Sequence, residues 1–496
     1  MKVLCAEEST LHEIYEFYKF PDPKFVQNKW SKWDGVIRLF DKRSQKLYCG
    51  LIESIYKFAK SRNYKIHVDP LLMIKEDIDI HELERFIKLE FDPHSDGKPI
   101  NPYDYQIDAI HKSLTYKRAT LLAATNAGKS LVIYCIARIL ELQDEYEDRP
   151  ILVVVPRVSL IHQIYDDFED YASACDDWNV QDHVQKITAD ESKQVNRPIV
   201  IANWQSLQKM PDSWFQQFGA ILQDEAHTAQ AKVLKGMISS MITTPFKVCM
   251  TGSLQNTECP ALTVTGLFGP VHKIITAKEL QDSGRAAKTK VFPIVLKHNE
   301  DKARTLNKDK TWPNEVDLLI NDVQRQKFLV NFINNLSGNT IVLFHRIEHG
   351  LRIYHDLQAL GKKVYYIDGS IDAIERNDIK KEIETMDDIV LVASFETTSM
   401  GVSIKKLHNL VLASSTKAQI KIIQTIGRLL RLHPSKDLAR IFDIIDDLRY
   451  GKSANFGILH AAERFKIYMS EQHPIDKSKT INLDELYPDE NANSLF

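Results

Sequence analysis

The sequence lacks a large excess of charge of either sign. Its 496 residues include 64 Lys and Arg against 67 Asp and Glu, a formal net charge of −3. The field of the whole molecule therefore predicts no polyanionic partner, and any nucleic-acid surface must come from local basic patches. A hydrophobic fraction of 44% and a charged fraction of 26% are typical of an ordinary globular chain with about three domains.

Cysteine is scarce, and long apolar runs are missing. The six cysteines form no C-x-x-C pair and no Cys/His cluster of zinc spacing, which argues against disulfides and a structural metal. The N-terminus turns polar too early for a signal peptide, and no apolar run approaches the ~18–20 residues of a bilayer span. We expect a cytoplasmic protein with reduced thiols and no membrane contact.

What the sequence does have, from about residue 100, is short β-branched runs alternating with amphipathic stretches. "ILVVVP" (151–156) reads as a buried strand and 159–172 as a helix. Such alternation is typical of parallel sheets covered on both faces, and it occurs twice, which predicts an α/β protein with two tandem domains. The other predicted strands are 198–204, 218–225, 246–253, 340–345, 363–368, 389–394, 410–414 and 440–446.

The flanking segments differ from these two domains. Residues 1–90 are rich in Lys and aromatics and predict a small α+β domain, with two strands around a turn in 35–50. The tandem domains then span 91–285 and 286–470, with a hinge region and the second domain's first strand in 283–297. The last segment, 471–496, lacks periodicity and predicts a flexible tail.

A phosphate-binding loop is indicated by "LLAATNAGKS" (121–130), which follows an apolar strand and precedes a helical pattern. Backbone N–H groups in such a loop wrap phosphates, the lysine reaches the β and γ oxygens, and the hydroxyl holds Mg²⁺. Ala123 replaces the usual first glycine and can do so if its φ stays negative. Asn126 tolerates the left-handed region better than most residues. The loop residues predicted to bind nucleotide are Thr125, Asn126, Ala127, Gly128, Lys129 and Ser130.

A second GKS, at 451–453, has no strand before it, and we discount it.

"FGAILQDEAH" (218–227) supplies the next element, a strand that ends in two carboxylates. Asp224 can hold Mg²⁺ through water, and Glu225 can orient or deprotonate the attacking water. "NPYDYQIDAI" (101–110) offers Tyr103 or Tyr105 for stacking on adenine and Gln106 for its edge.

The second domain contributes "IIQTIGRLLRLHP" (422–434). Arg428 and Arg431 lie three residues apart on one helical face, where two guanidinium groups suit the triphosphate as arginine fingers. An ordinary basic helix end is the alternative interpretation of these two arginines.

These motifs occur in the order of the DEAH-type superfamily-two helicases, which the chain resembles over about residues 95–465. The matching segments include AATNAGKS, DEAH (224–227), TGS (251–253) and QTIGRLLR (424–431), with "VVPRVSLIHQ" (154–163), "NWQSL" (203–207) and "VLVASFETTSMGVSI" (390–404). "WSKWDGVIRLF" (30–40) and "ITAKELQDSGRA" (275–286) are similar to the recombination helicases of T-even phages. Ser403 departs from the family's pattern, as do Ala123 and Asn126.

The resemblance implies two RecA-like lobes and roles for the motif residues. Gln106 would select adenine, and Gln424, Arg428 and Arg431 would complete the ATP site. Hydrolysis would be coupled to lobe movement through His227, Thr251, Gly252, Ser253 and Gly401. Loops of the lobes would grip the nucleic-acid backbone through Pro156, Arg157, Gln205, Ser206 and Ser394.

The small N-terminal domain has its own basic stretch. Between Lys19 and Lys46 there are eight basic residues against three acidic ones, interleaved with aromatics. Cations follow phosphates and aromatic rings stack on bases, so this stretch predicts a nucleic-acid grip, although such rings also build small cores. The candidates are Lys29, Trp30, Lys32, Trp33, Arg38, Lys42 and Arg43.

We therefore predict an ATP- and Mg²⁺-dependent DNA helicase or translocase, a monomer acting on branched DNA such as forks, Holliday junctions and R-loops. The polymer, the branched substrates and a host bacterial cytoplasm come from the phage likeness. An RNA helicase is the alternative in the same class, because DEAH does not separate the polymers. A nucleotide-gated clamp without hydrolysis would not need Glu225 and the two arginines, and a kinase or GTPase would leave the second lobe unexplained.

Overall fold

The computed structural model describes residues 1–22, 33–72, 75–189, 191–225, 231–252, 254, 261–371, 373–399, 404–415, 426–427 and 431–488. It consists of two compact units, Met1–Ile275 and Thr276–Phe496, each with its own seven-stranded parallel sheet. The division falls before the predicted boundary at 285. In this part of the chain, no helix combines the length and apolar character needed to cross a membrane.

The small N-terminal domain, residues 1–72, packs two helices against two short antiparallel strand pairs. Its core contains Leu11, Ile14, Tyr18, Leu51 and Phe58. The predicted strands around a turn are present as the third and fourth strands, which pair antiparallel. The elements are α1 (Glu8–Phe17), β1 (Lys19–Pro21), β2 (Val36–Arg38), β3 (Phe40–Asp41), β4 (Lys46–Leu47) and α2 (Ile52–Ser61).

A helical segment predicted to belong to this small domain packs elsewhere. Helix α3 (Ile80–Phe86) continues into a π-helical turn, Ile87–Phe91, followed by the hairpin β5 (His94–Ser95) and β6 (Lys98–Pro99). Leu83, Ile87 and Phe91 are buried in the core of the first large sheet. Residues 80–91 therefore belong structurally with the first lobe, which shortens the predicted 1–90 domain.

The first sheet has the strand order β13-β7-β12-β11-β8-β10-β9, and every pairing in it is parallel. Its strands are β7 (Arg118–Ala123), β8 (Ile151–Val155), β9 (Val184–Ile187), β10 (Ile199–Asn203), β11 (Ala220–Asp224), β12 (Phe246–Thr251) and β13 (Val271–Ile275). Two clusters of buried apolar residues cover its two faces, as the unbroken apolar runs predict.

The helices of the first lobe connect these strands. They are α4 (Asp104–Tyr116), α5 (Lys129–Glu141), α6 (Val158–Tyr171), α7 (Val180–His183), α8 (Trp204–Leu207), α9 (Asp212–Phe215), α10 (Ala231–Ser240) and α11 (Ala261–Phe268). Because the strands are parallel, the loops that follow β7, β8, β10, β11 and β12 all leave the same edge of the sheet. That edge collects the motifs of the first lobe.

The second sheet has the order β16-β17-β15-β18-β19-β14-β20 and is also fully parallel. Its strands are β14 (Lys288–Lys297), β15 (Thr340–Phe344), β16 (Val364–Ile367), β17 (Val390–Ser394), β18 (Asn409–Leu412), β19 (Leu438–Asp447) and β20 (Lys479–Asn482). The tandem α/β architecture predicted from the sequence is thereby confirmed.

The helices of the second unit are α12 (Ala277–Asp282), α13 (Glu300–Lys308), α14 (Trp312–Asn321), α15 (Val323–Asn334), α16 (Ile347–Ala359), α17 (Ala373–Thr385), α18 (Phe395–Ser399), α19 (Phe456–Ser470) and α20 (Leu483–Leu486). The prediction of a flexible tail from residue 471 is corrected by β20, which pairs with β14, and by Leu483, which is buried in the core. Pairing with a neighbour compensates for the lack of an apolar run.

Candidate nucleotide site and nucleic-acid surface

The phosphate loop connects the end of β7 to the start of α5. Asn126 and Gly128 have φ values of 68° and 71°, and the Ala127 N–H donates to the Ala124 carbonyl at 3.2 Å. Ala123 ends the strand and is not among the residues with positive φ. The conformations predicted for Ala123 and Asn126 are therefore confirmed. Left-handed residues before a helix turn backbone N–H groups toward one point, which suits a phosphate.

Lys129, the first residue of α5, lies against the carboxylate predicted to activate water. Its Nζ is 2.5 Å from Glu225 Oε1, and the two side chains are only 13% and 15% exposed. Burial disfavours the charge on Lys129, but the carboxylates of Glu225 and Asp224 outweigh it and raise the pKa of the lysine. The cation is therefore kept in place and already paired.

Glu225 also connects its own strand to the next one. It has a φ of 48°, and its N–H donates to the Met250 carbonyl at 2.8 Å. Its Oε2 accepts from Thr251 Oγ1 and from the Gly252 N–H, both at 3.4 Å. A single carboxylate thus joins the phosphate loop to two of the residues predicted to couple hydrolysis to movement. His227 and Ser253 lie outside the described residues.

Gln106 lies next to the phosphate loop, but its amide is engaged within the protein. Its Oε1 accepts from the Tyr103 N–H at 2.8 Å, and its Nε2 donates to the Ala127 carbonyl at 2.9 Å. Tyr103 and Tyr105 stack with ring centroids 5.6 Å apart, and Tyr103 is 46% exposed whereas Tyr105 is 8% exposed. Tyr103 is therefore the ring of this pair that can meet a base, while adenine recognition by Gln106 stays a prediction.

Ser130 and Asp224 are the predicted ligands of Mg²⁺. Both offer hard oxygen atoms; Ser130 lies in the first turn of α5, after β7, and Asp224 is the last residue of β11 in the same sheet. Within the described ranges, no group of three or more His, Cys, Asp or Glu could hold a metal. Mg²⁺ bound through one or two side chains and substrate phosphates needs no such cage, so this donor set fits it. The Ser130 hydroxyl lies 2.9 Å from that of Tyr171.

The second GKS is a turn, as expected. Tyr450 and Ser453 exchange backbone hydrogen bonds of 3.1 and 3.0 Å around Gly451 and Lys452, and Lys452 is exposed. Of the residues predicted to act from the second lobe, Arg431 is described and half-buried. Gln424, Arg428 and Gly401 lie outside the described residues, and their roles stay predictions.

The predicted backbone contacts differ in accessibility. Pro156 is buried and Arg157 half-buried after β8, whereas Gln205 is exposed after β10. Asn203 organises that second turn, since its Nδ2 donates to Gln205 Oε1 at 2.8 Å and its Oδ1 accepts from Ser206 Oγ at 2.6 Å.

Ser394 is less accessible than the prediction requires. It is 9% exposed, and its hydroxyl lies 2.7 Å from Thr397 Oγ1 while accepting from the Thr397 N–H at 3.1 Å. These contacts hold the turn between β17 and α18, so we expect Ser394 to shape the loop more than to touch nucleic acid itself.

The basic stretch of the small domain is less positive than its sequence predicts. Arg38 pairs with Asp34 and donates to the Tyr15 hydroxyl at 2.6 Å, and Lys42 is 2.6 Å from Glu8. Glu8 lies on α1, outside the window in which charges were counted, so the local excess of positive charge was too high. Lys29, Trp30 and Lys32 lie outside the described residues.

Two of the remaining candidates are accessible at the surface of the first unit. Trp33 is 46% exposed, and Arg43 is exposed beside a groove of about 770 Å³ between the small domain and the first lobe. Lys235 of α10 also lines this groove. The sequence analysis missed Lys235 because it lies about 190 residues from the basic stretch. Tyr171 was missed too, because its position on an amphipathic helix indicates a core residue.

Three family descriptions match the chain in sequence. They are "DNA helicase UvsW, N-terminal" over residues 2–69, "Type III restriction enzyme, res subunit" over 99–256 and "Helicase conserved C-terminal domain" over 324–433. The first of these ends close to the limit of the small domain in the structure.

Whole-chain relatives agree with these matches. The ATP-dependent DNA helicase uvsW of Enterobacteria phage T4 is 33% identical over 504 residues, covering 96% of this chain and 97% of its own. The crystal structure of T4 UvsW covers 97% of both chains at 31% identity, with a TM-score of 0.51. The Type ISP restriction-modification enzyme LlaBIII, solved bound to DNA, shares the fold at 15% identity with a TM-score of 0.57, over 78% of this chain and 32% of its own.

Proposed function

The chain belongs to the family of UvsW-like superfamily-two helicases, and from that premise we propose that it remodels branched DNA in recombination, repair and replication. The substrates in this proposal are forks, Holliday junctions and R-loops, and the enzyme acts as a monomer in the cytoplasm of a host bacterium. ATP drives the reaction, as in the family.

The observation that carries the proposal is the chain of contacts from Lys129 through Glu225 to Thr251 and Gly252. The phosphate loop and the start of α5 bind the triphosphate with backbone N–H groups. Lys129 then exchanges Glu225 for the γ-phosphate. This exchange frees Glu225 to accept a proton from the attacking water, which it could not do while held by the lysine.

The same exchange supplies a route to movement. One Glu225 oxygen contacts Lys129, while the other contacts Thr251 and Gly252 at the end of β12. A shift of the carboxylate on nucleotide binding would therefore change its hydrogen bonds to Thr251 and Gly252. Mg²⁺ on Ser130 and Asp224 would neutralise phosphate charge. Gln424, Arg428 and Arg431 are proposed to stabilise the transition state, as the family resemblance implies.

DNA contacts are proposed on two surfaces of the first unit. The turns after β8 and β10 present Arg157, Gln205 and Ser206 at the sheet edge and would hold the sugar-phosphate backbone without reading sequence. The groove bordered by Arg43 and Lys235 would hold a second segment of a branched substrate. The basic and aromatic candidates Lys29, Trp30 and Lys32, which lie outside the described residues, belong to the same proposal.

The experiment is steady-state ATP hydrolysis with single-stranded DNA, duplex, fork, four-way junction, RNA–DNA hybrid and RNA, with unwinding scored on each. We expect branched DNA to stimulate hydrolysis most. Lys129→Ala should lower turnover by about 10²-fold or more, since it removes an electrostatic contact to the reacting phosphate.

Lys452→Ala in the second GKS is the matched control and should leave turnover unchanged, because that lysine lies on an exposed turn. If RNA stimulated ATP hydrolysis as strongly as branched DNA or more strongly, the substrate would be RNA rather than DNA. If Lys129→Ala hydrolysed ATP at the wild-type rate, residues 121–130 would not be the phosphate-binding loop. Nucleotide binding with no hydrolysis on any polymer would support a clamp instead.

A further inference from the structure

The phosphate-loop serine has an unexpected partner on a different helix. Ser130 is the second residue of α5, and its hydroxyl lies 2.9 Å from that of Tyr171, the last residue of α6. The Tyr171 ring packs against Tyr134 of α5 with ring centroids 5.5 Å apart, and Tyr134 also makes an edge-to-face contact with Phe168 of α6. The position of the Tyr171 hydroxyl is thus fixed by the aromatic packing between the two helices.

Packing alone does not require this hydroxyl. A phenylalanine ring would fill the same space, and Tyr134 beside it has its own partner, Arg138, which donates to the Tyr134 hydroxyl at 3.0 Å. A phenol is protonated at neutral pH. A neutral hydroxyl can either donate to Ser130 or accept from it.

Metal binding distinguishes these two arrangements. A serine oxygen that binds Mg²⁺ uses a lone pair, so its hydrogen has to point away from the metal. If Tyr171 donated to Ser130, it would use one of the two lone pairs of the serine oxygen and leave the serine hydrogen free to point toward the metal. If Ser130 donates to Tyr171, the hydrogen is removed from the metal's side, and the oxygen is oriented for binding.

We propose that Tyr171 is a positioning residue for the metal, whose phenol oxygen accepts the Ser130 hydrogen and turns the serine lone pair toward Mg²⁺. This inference rests on the proposed function, because it assumes that Ser130 is a metal ligand. Tyr171 itself touches neither nucleotide nor metal in this arrangement.

The test is Tyr171→Phe in the full-length chain, compared with Tyr165→Phe. Tyr165 lies on the same helix, is half-buried, and its ring meets Lys186 rather than the phosphate loop. The affinity for Mn²⁺ in the presence of ADP is measured by electron paramagnetic resonance, and the thermal unfolding midpoint is measured in parallel. We expect Tyr171→Phe to weaken Mn²⁺ binding by about three- to tenfold, the effect of one hydrogen bond, with an unchanged midpoint and unchanged ADP binding without metal.

A double variant checks whether Tyr171 acts on the metal through Ser130. Added to Ser130→Ala, Tyr171→Phe should produce no further loss of Mn²⁺ affinity, because the two residues act as one unit. Unchanged Mn²⁺ affinity in Tyr171→Phe, or an equal loss in Tyr165→Phe, overturns the inference and leaves the helicase proposal standing. Absence of metal-dependent ADP binding by the wild-type chain would overturn both.

Discussion

At the scale of single residues, the main feature of the site is that its cation and its base neutralise each other. Lys129 and Glu225 are both mostly buried and 2.5 Å apart. A phosphate that binds Lys129 therefore competes with Glu225 for the same charge. In the proposed mechanism, this ion pair would hold Glu225 away from the role of base until a triphosphate binds Lys129.

This competition predicts that Glu225→Gln tightens ATP binding while stopping turnover. The amide keeps the shape of the side chain but removes the negative charge that holds Lys129. A charged hydrogen bond contributes about 1.5–3 kcal/mol, so we expect the Kd for ATP to fall by about tenfold or more. The Kd is measured by equilibrium binding of a fluorescent ATP analogue. The neighbouring Gln223 is unsuitable for a control substitution such as Gln223→Glu, because it is buried.

Glu191→Gln, on an exposed loop, is the better control and should change neither Kd nor turnover. An unchanged or weaker affinity in Glu225→Gln would mean that the ion pair does not compete with nucleotide.

Local chemistry determined which site residues could be predicted. Asn126 was expected to take a left-handed φ because its side chain permits it, and the carboxylates at the end of β11 follow from the strand pattern. The internal bonds of Gln106 and the contact between Ser130 and Tyr171 depend on how helices meet, which no local pattern encodes.

At the scale of elements, apolar content decided what the sequence could predict. The run at 151–156 predicted the strand Ile151–Val155, because a strand buried on both faces has to be apolar throughout. Strand β20 has the polar sequence KTIN and is held by its pairing with β14 at the sheet edge, so it has no such signal. The charge of the small domain was overestimated for a similar reason, since Glu8 comes from a neighbouring helix.

Two of the buried histidines of the second unit, His349 and His473, have lowered pKa values and make this unit sensitive to acid. His473, just after α19, bonds to Thr289 of β14 at 2.9 Å, and burial lowers its pKa to about 4. Burial and the charge of Arg325 lower the pKa of His349 on α16 to about 3. Between about pH 4 and 6.5 the unfolded chain binds these protons more readily than the folded one, so stability is lost as the pH falls through this range.

We expect His473→Gln to reduce this acid sensitivity, because the amide can still bond to Thr289 but does not bind a proton. Each such histidine costs up to about 1.4 kcal/mol per pH unit, so the variant should lose about 2–3 kcal/mol less than the wild type between pH 6.5 and 4. Denaturant unfolding of the full chain at several pH values measures the difference. His67→Gln, at an exposed position, should behave like the wild type. If the free energy of unfolding fell equally steeply with pH in His473→Gln and in the wild type, His473 would not be buried in its neutral form.

At the scale of the whole molecule, the first unit joins a small domain to an ATP-binding lobe through very close backbone packing. An added Cβ on Gly50 would lie 2.0 Å from the Thr265 carbonyl and 2.8 Å from that of Gly266. Helix α11, which carries both residues, is the helix that follows the motif containing Thr251 and Gly252 along the chain. The small domain thus packs against the first described helix after the motif that contacts Glu225.

This packing predicts that Gly50→Ala separates substrate grip from hydrolysis. The methyl group would force the small domain away from α11, at a cost of about 1–3 kcal/mol, without touching the phosphate loop. We expect fork-DNA affinity to fall by about tenfold, basal ATP hydrolysis to stay within about twofold, and the 1–72 segment to become more sensitive to protease. A chain that starts at residue 75, leaving 80–91 in the lobe's core, should show the same loss of fork binding.

Gly236→Ala is the matched control, because an added Cβ there meets nothing within 4 Å. It should bind forks and resist protease as the wild type does. If Gly50→Ala retained wild-type fork affinity while protease released the small domain, the domain's docking would be irrelevant to DNA binding. If basal hydrolysis fell as far as fork binding, the glycine would be needed for the fold of the lobe itself, because the phosphate loop depends on the same sheet.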